Sequence, residues 1–494
     1  MNFSPLSPAR TESRIPTMLA TGGFAWYDLQ QCWRKGKQDR SVSFLIFLSD
    51  MLMETPRQKI KNLQRKDRAP KQARSRFRLS RSSGLFRLLA VLGPGLIAAN
   101  AGNDAGGIAT FSQAGAGYGY SLLWALVISG FCLAIVQEMC ARMGTVTGKG
   151  LADLIREQFG VRWTALAMLA LLIANTGVTV SEFLGIAASV QVLAGDPHTP
   201  LVYIVVPLAG LILWLLVIKG SYRRVEKIFL LMSLGFLAYI PAAFAAHPDW
   251  ANVGRQIILP HLSSSSAYLL TAVALVGTTI SPYMQFFVQS SVADKGIHAG
   301  DYIYERVDIY SGTAFAMIIA AFVVIATGAT LFVHGTAVNT ALDAALALQA
   351  FAGKYATLLF GIGLFGASLL AAAVLPLSTA YGICEAFGFE RGVSRSFSEA
   401  PVFQSIFTGL IVLGVLIALI PGLPIIQVLI VLQDLNAAML PILLVFIILL
   451  VNNRRLMGRH VNKLGLNIIS WATVVVITIL IVLLLLSTIF NITL

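Results

Sequence analysis

From residue 86 to residue 490 the chain alternates long apolar runs with short polar connections, and that alternation excludes nearly every soluble fold. Runs long enough to cross about 30 Å of hydrocarbon fall at 86–116, 120–142, 163–192, 201–218, 226–246, 266–293, 309–333, 355–382, 403–420, 424–451 and 466–490. No water reaches the backbone inside a bilayer, so each run must close its own hydrogen bonds as a helix. The expectation is an all-α, multi-pass membrane protein with eleven transmembrane helices. Charge content agrees: 12% of residues are Asp, Glu, Lys or Arg, against about 25% in an average soluble domain.

Orientation follows from the basic residues. Residues 1–90 hold 18 of the 36 Lys and Arg and 6 of the 23 acids, so nearly all of the net charge of +13 sits ahead of the first span. The segment "RQKIKNLQRKDRAPKQARSRFR" lacks interleaved aromatics. It reads as a disordered cytoplasmic tail drawn to anionic lipid, at about 1 kcal/mol per cation near the surface, and not as a nucleic-acid surface. With that tail inside, the loops expected in the cytoplasm carry sixteen basic residues, from Arg142 and Lys149 to Arg459 and Lys463; the opposite side carries Arg255 and Lys354. That asymmetry fits the positive-inside rule and puts the C-terminus outside. The domain reading is a basic tail over 1–85 and a membrane domain over 86–490. The run "SVSFLIFL" is too short to span and has no cleavage site after it, and a start at Met51 or Met53 is an open alternative.

The four cysteines (Cys32, Cys132, Cys140, Cys384) form no CxxC pair, which argues against a disulfide framework or a cysteine metal site. All six histidines lie in loops or at span edges, so none is placed to relay protons through the bilayer centre. There is no P-loop, nucleophile motif or HExxH, and an enzyme is not expected.

Charge inside the spans is the informative feature. Asp104, Glu138, Glu182 and Asp434 lie well within apolar runs, where an unpaired carboxylate costs several kcal/mol. Glu138 precedes Arg142 by four residues, and an i,i+4 pair accounts for it. Glu182 fits a buried hydrogen-bond role or an ion pathway equally well. Asp104 and Asp434 have no basic residue in their own spans, and a bound cation is the natural counter-charge. Two spans also contain helix breaks: the first at "NDAGG", where Gly102, Gly106 and Gly107 permit unwinding, and the sixth at "GTTISPYM", where Pro282 removes a donor. Spans 1 and 6 occupy corresponding places in two five-span halves, the pattern of an inverted-repeat transporter with a mid-membrane site. Unwinding supplies carbonyls, which oxygen-seeking cations use in place of water.

The stretches "GPGLIAANAGNDAGGIATFSQAGAGYGY", "VQEMCARMGTVTGKGLADLIREQFG", "SEFLG", "YRRVEKIF" and "NRRLMGRHVN" together resemble the NRAMP family of divalent-metal transporters. The resemblance implies the amino-acid/polyamine/organocation transporter fold, a 5+5 inverted repeat with discontinuous helices 1 and 6. Repeat one would cover 86–246, repeat two 266–451, and an extra helix 466–490. It also implies a metal site where spans 1, 6 and 10 meet. Against the family's Asp-Pro-Gly-Asn the chain has Asp104, Ala105, Gly106 and Gly107. Against Met-Pro-His it has Ser281, Pro282 and Tyr283. In span 3 the family's Asp-x-x-Glu appears as Thr179 and Glu182, a second histidine position aligns with Val288, and the span-10 glutamine position aligns with Asp434.

Carboxylate, carbonyl and water suit Mg²⁺ and Mn²⁺, whereas thioether and imidazole suit softer metals. The departures therefore point toward the NRAMP-related magnesium transporters, a divergent branch. The expected metal site is Asp104 as main ligand, Gly107 leaving room for water, Thr278 through its carbonyl, Ser281, and Asp434. Glu182, Thr179 and Tyr283 are candidates for an ion or proton pathway. The expected activity is inward transport of Mg²⁺, with Mn²⁺ as a competing substrate, by alternating access in a cell membrane of bacterial type and without proton coupling. No cofactor beyond the transported ion is expected; the partners are that ion and the bilayer, with no nucleic acid, and the unit is a monomer. A proton-coupled Mn²⁺/Fe²⁺ importer of ordinary NRAMP type is the alternative. An organic-cation or amino-acid carrier on the same fold is the alternative from another class.

Overall fold

Glycines and short polar residues set several of the helix ends, Asp104, Gly148 and Ser281 among them. The computed structural model describes residues 101–218, 234–260, 263, 265–297, 300, 302–392, 395 and 397–490. The basic tail, Cys32, His261 and His298 lie outside the described residues. A 3-10 turn, Ala101–Asn103, leads into α1 (Ala105–Tyr118). Next come α2 (Leu123–Thr147), α3 (Leu151–Ala194), α4 (Val202–Ile218) and a short α5 (Tyr239–Ala245) that continues a 3-10 turn from Leu234. After α6 (Trp250–Ile258) come α7 (Ser266–Thr279) and α8 (Pro282–Asp294), then α9 (Tyr302–Thr327), which runs on as a π turn to Phe332. The last long helices are α10 (Ala356–Phe387), α11 (Pro401–Ala418), α12 (Ile425–Val451) and α13 (Leu464–Phe490).

Among the described residues eight helical segments are long and apolar enough to cross a membrane, with α7 and α8 counted as one and α9 joined to its π turn. Two further apolar segments, Val202–Ile218 and Leu234–Ala245, are shorter. The expected spans at 86–116 and 226–246 fall partly outside the described residues. Bulky apolar side chains such as Phe131 and Ile204 stay exposed on the outside of the bundle, as a lipid-facing surface requires and a soluble one avoids.

The loop "TVTGKGLA" shows why its glycines are there. Gly148 ends α2 in the left-handed region at φ 63°, a conformation that only glycine adopts without strain. Gly150 caps α3, and a Cβ there would collide with the Glu385 carboxylate at the end of α10. The third span, expected from residue 163, continues back to Leu151 across a kink at Gly160. α3 lies at the centre, packed most extensively on α10, α12 and α11. α1 packs on α9, α7 and α12, while α2 packs on α9 and α8. Arg142 and Glu138 form the expected ion pair at 3.2 Å. The same arginine bonds the His460 carbonyl and Asn462, and Tyr302 bonds Glu138. This network ties α2 to the connection between α12 and α13.

Candidate functional site

The break ahead of α1 falls at Asp104 and not at the glycines beyond it. Asp104 is extended (φ −74°, ψ −177°) and caps α1 by accepting the Gly107 N–H on Oδ1 at 2.7 Å. A short side chain with an acceptor is what an N-cap requires. Gly106 and Gly107, expected in the unwound stretch, lie instead in the first turn of α1. Their lack of side chains serves close packing: a Cβ on Gly106 would run into Gln433 and Ser181, and one on Gly107 into the Gly102 carbonyl and the Thr278 hydroxyl. The room expected at Gly107 for water is thus filled by protein oxygens.

The second break follows the sequence reading. α7 stops at Thr279, Ile280 and Ser281 are non-helical, and Pro282 opens α8 at its first position, where a missing N–H costs nothing. Ser281 donates to the Gly277 and Thr278 carbonyls at 3.1 and 3.3 Å. Asn436 on α12 donates to the Gly277 carbonyl and to the Ser281 hydroxyl, both at 2.9 Å, and to Gln433 Oε1 at 3.3 Å. Thus α7, α8 and α12 are laced together at the point where α1 begins.

α3 completes the wall. Glu182 Oε2 accepts the Ala105 N–H at 3.4 Å, which brings its carboxylate to the residue next to Asp104. Tyr283 is buried near both carboxylates. Thr179, one turn earlier on α3, donates to the Asn175 carbonyl at 2.7 Å. Asp104 is 1% exposed, Ser281 1%, and Thr278 and Glu182 0%. Among the described residues the site contains buried polar atoms with no hydrogen-bond partner: Asp104 Oδ2, Glu182 Oε1, Ser181 Oγ, Thr278 Oγ1, Gln433 Nε2 and Asn436 Oδ1. Leaving one such atom dry costs about 1–3 kcal/mol. A cation would relieve the oxygens among them, two of which come from carboxylates, while the Gln433 Nε2 donor needs water or a carboxylate oxygen.

The structure brings Asp104, Gly107, Thr278, Ser281, Glu182 and Tyr283 together. It does not place Asp434 with them. One residue along a helix turns the side chain by about 100°, and it is Gln433, with Asn436 one turn on, that faces the breaks. Asp434 lies on the adjoining flank of α12, and neither of its oxygens has a hydrogen-bond partner among the described residues. Gln433 and Asn436 were missed by the sequence reading, although two amides at i,i+3 in a mostly apolar helix carried the signal. Met284 was also passed over. Its methyl lies 3.0 Å from where a Gly102 Cβ would stand, and its sulfur accepts from Gln137 at 3.9 Å, so a thioether does border the site one turn beyond Ser281.

A family model described as Nramp, natural resistance-associated macrophage protein-like, matches residues 95–487. A divalent metal cation transporter, MntH, of Deinococcus radiodurans is 29% identical over 416 residues, covering 80% of this chain and 89% of the relative. Its counterpart from Pectobacterium carotovorum is 30% identical over 396 residues, covering 76% and 88%. A crystal structure of the Eremococcus coleocola manganese transporter, in complex with an aromatic bis-isothiourea substituted compound, superposes with a TM-score of 0.64 at 21% identity, covering 82% of this chain and 87% of that one. At that identity the likeness speaks for the fold.

Proposed function

This chain belongs to the Nramp family, and from that premise we propose that it imports divalent metal ions, Mn²⁺ among them, by proton-coupled alternating access. The single observation that carries the reading is the meeting of Asp104 and Glu182 at the break between the 3-10 turn and α1, inside a buried cluster of oxygens. Asp104 is the main ligand, with the Thr278 carbonyl and Ser281 from the α7–α8 break; Gln433 on α12 joins them by turning toward the ion the amide oxygen that Asn436 now holds. Gly107 contributes by letting the Gly102 carbonyl approach. Glu182 takes the proton, and Tyr283 with Thr179 lines its route. The family's eleven-span order, its 5+5 inverted repeat and a cytoplasmic N-terminus complete the proposal, supported by paired breaks ahead of α1 and between α7 and α8.

A second reading, Mg²⁺ uptake without proton movement, is favoured by one feature: glycine and serine stand where the family has asparagine and methionine, which leaves an oxygen-dominated site suited to a hard ion. Against it stand the retained Glu182 and the nearby Met284 sulfur. Purified protein in liposomes loaded with a pH dye separates the two. Mn²⁺ uptake with acidification of the lumen, resisting a large excess of Mg²⁺, is the expected result. Mg²⁺ uptake that leaves the lumen pH unchanged would establish the second reading and overturn the first.

A further inference from the structure

A second pair of carboxylates lies at the far end of α8 and α9 from the proposed transport site. Glu305 and Asp308 share one face of α9 at i,i+3 spacing, and both are 0% exposed. Neither Glu305 oxygen has a hydrogen-bond partner among the described residues, a costly state for a buried carboxylate. Lys295, at the end of α8, is close to both acids. Burial pushes its ammonium pKa down, and Glu305 and Asp308 pull it back up.

The position of this pair is what gives it a use. Buried residues run along one stripe of α9 from Glu305 and Asp308 through Thr313 to Ala316. At the upper end the Ala316 carbonyl accepts from Asn103, the neighbour of Asp104, at 3.5 Å. Midway, Thr313 donates to Gln137 Oε1 at 3.4 Å, and Gln137 reaches the Met284 sulfur beside the breaks. Eleven residues of helix separate Ala316 from Glu305, about 16 Å at 1.5 Å each. α8 covers a similar distance, from Pro282 at the break to Lys295 beside the acids. Two elements that border the transport site, α8 at its first residue and α9 at Ala316, therefore converge on one buried carboxylate pair.

We propose that Glu305 and Asp308 form a release station, a second and weaker site for the divalent cation, in which the Lys295 ammonium stands in for the ion whenever it is absent. The proposal rests on the transport reading given above. An ion leaving Asp104 meets the two Glu305 oxygens, already stripped of hydrogen bonds, and Lys295, by returning, expels it. The exchange keeps the second site from becoming a trap.

Mn²⁺ alone serves as the probe, its binding to the purified full chain followed by electron paramagnetic resonance. Asp104→Ala is expected to keep one weak Mn²⁺ site, and adding Glu305→Gln to weaken that site about tenfold, the scale of losing one nearby charge. Lys295→Gln, a change at the C-cap of α8 with little risk to folding, is expected to tighten the residual site about fivefold by removing the competing cation. Loss of all Mn²⁺ binding in Asp104→Ala, residual binding indifferent to Glu305→Gln, or no tightening in Lys295→Gln would each overturn the station. Transport by Asp104→Ala at the parent rate would overturn the central-site reading instead, and it leaves the binding results to be judged by themselves.

Discussion

At the scale of single residues, the site turns on which side of α12 faces the breaks. Gln433 and Asn436 point at Gly106 and at the Gly277 carbonyl, whereas Asp434 stands about 100° away with no polar partner among the described residues. Substitution should follow that geometry. Gln433→Ala removes a neutral ligand worth about 1–1.5 kcal/mol, so the KM for Mn²⁺ should rise about tenfold while the protein remains folded. Asp434→Asn should leave uptake close to the parent, and a Mn²⁺ uptake assay in liposomes compares the two directly. A larger defect in Asp434→Asn than in Gln433→Ala would reverse the assignment. Asp104→Asn keeps the cap on α1 but removes the charge, so it should abolish uptake without lowering thermal stability. The aspartate itself was legible in the sequence because a costly carboxylate and a helix break coincide there, whereas Asp434 carries the same charge with no break beside it. The choice between two adjacent residues of α12 was not, since alignment across an unpaired polar position tolerates a slip of one while helical phase does not.

At the scale of elements, the functional feature is a set of contacts so close that only glycine fits. A Cβ at Gly277 would meet the Gln433 carbonyl and Ala437, and one at Gly185 would meet Ala105 and Ser368. These two contacts hold α7 against α12, and α3 against α1 and α10, and so fix where the breaks face each other. Gly277→Ala is expected to cost about 1–3 kcal/mol by overpacking, and to sever the Asn436 bond to the Gly277 carbonyl. Its melting temperature in detergent should fall and Mn²⁺ uptake should fall further than the loss of folded protein explains. Uptake that tracks the folded fraction alone would mean that the crossing matters for stability only. The α7–α8 break was readable because Pro282 falls in the span that corresponds to the first one; proline alone was not enough, since Pro207, Pro376 and Pro441 sit inside continuous helices. The glycines of "NDAGG" misled because glycine has two readings, conformational freedom and small size, and a sequence does not say which is in use. Here Asp104 carries the non-helical backbone, and the glycines carry the packing.

At the scale of the whole molecule, the question is what drives the ion inward. A divalent cation crossing the full field gains about 4.6 kcal/mol per 100 mV, and a proton moving with it adds about 2.3. Both readings can therefore accumulate metal, and direction alone does not separate them; the number of charges moved per ion does. Asp104 and Glu182 lie together with one hydrogen-bonded N–H each, from Gly107 and Ala105. The proposed reading has neighbouring carboxylates share a proton whenever no cation is bound, since like charges disfavour each other's ionised form. On the proton-coupled reading proposed above, a dication binding at Asp104 repels a proton from the pair, and Glu182 is the member left to pass it on. With one proton per metal ion, uptake should depend on voltage as three charges do, and the lumen should acidify as metal enters. Glu182→Gln removes the acceptor but leaves Asp104. Acidification should then vanish while Mn²⁺ uptake continues more slowly, and the voltage dependence should drop from about three charges to about two, each worth about 2.3 kcal/mol per 100 mV. If Glu182→Gln still acidifies the lumen in step with Mn²⁺, the proton travels by another group. If the parent moves two charges and no protons, the unprotonated carboxylate pair is serving a hard ion alone, and magnesium becomes the substrate that the site best explains.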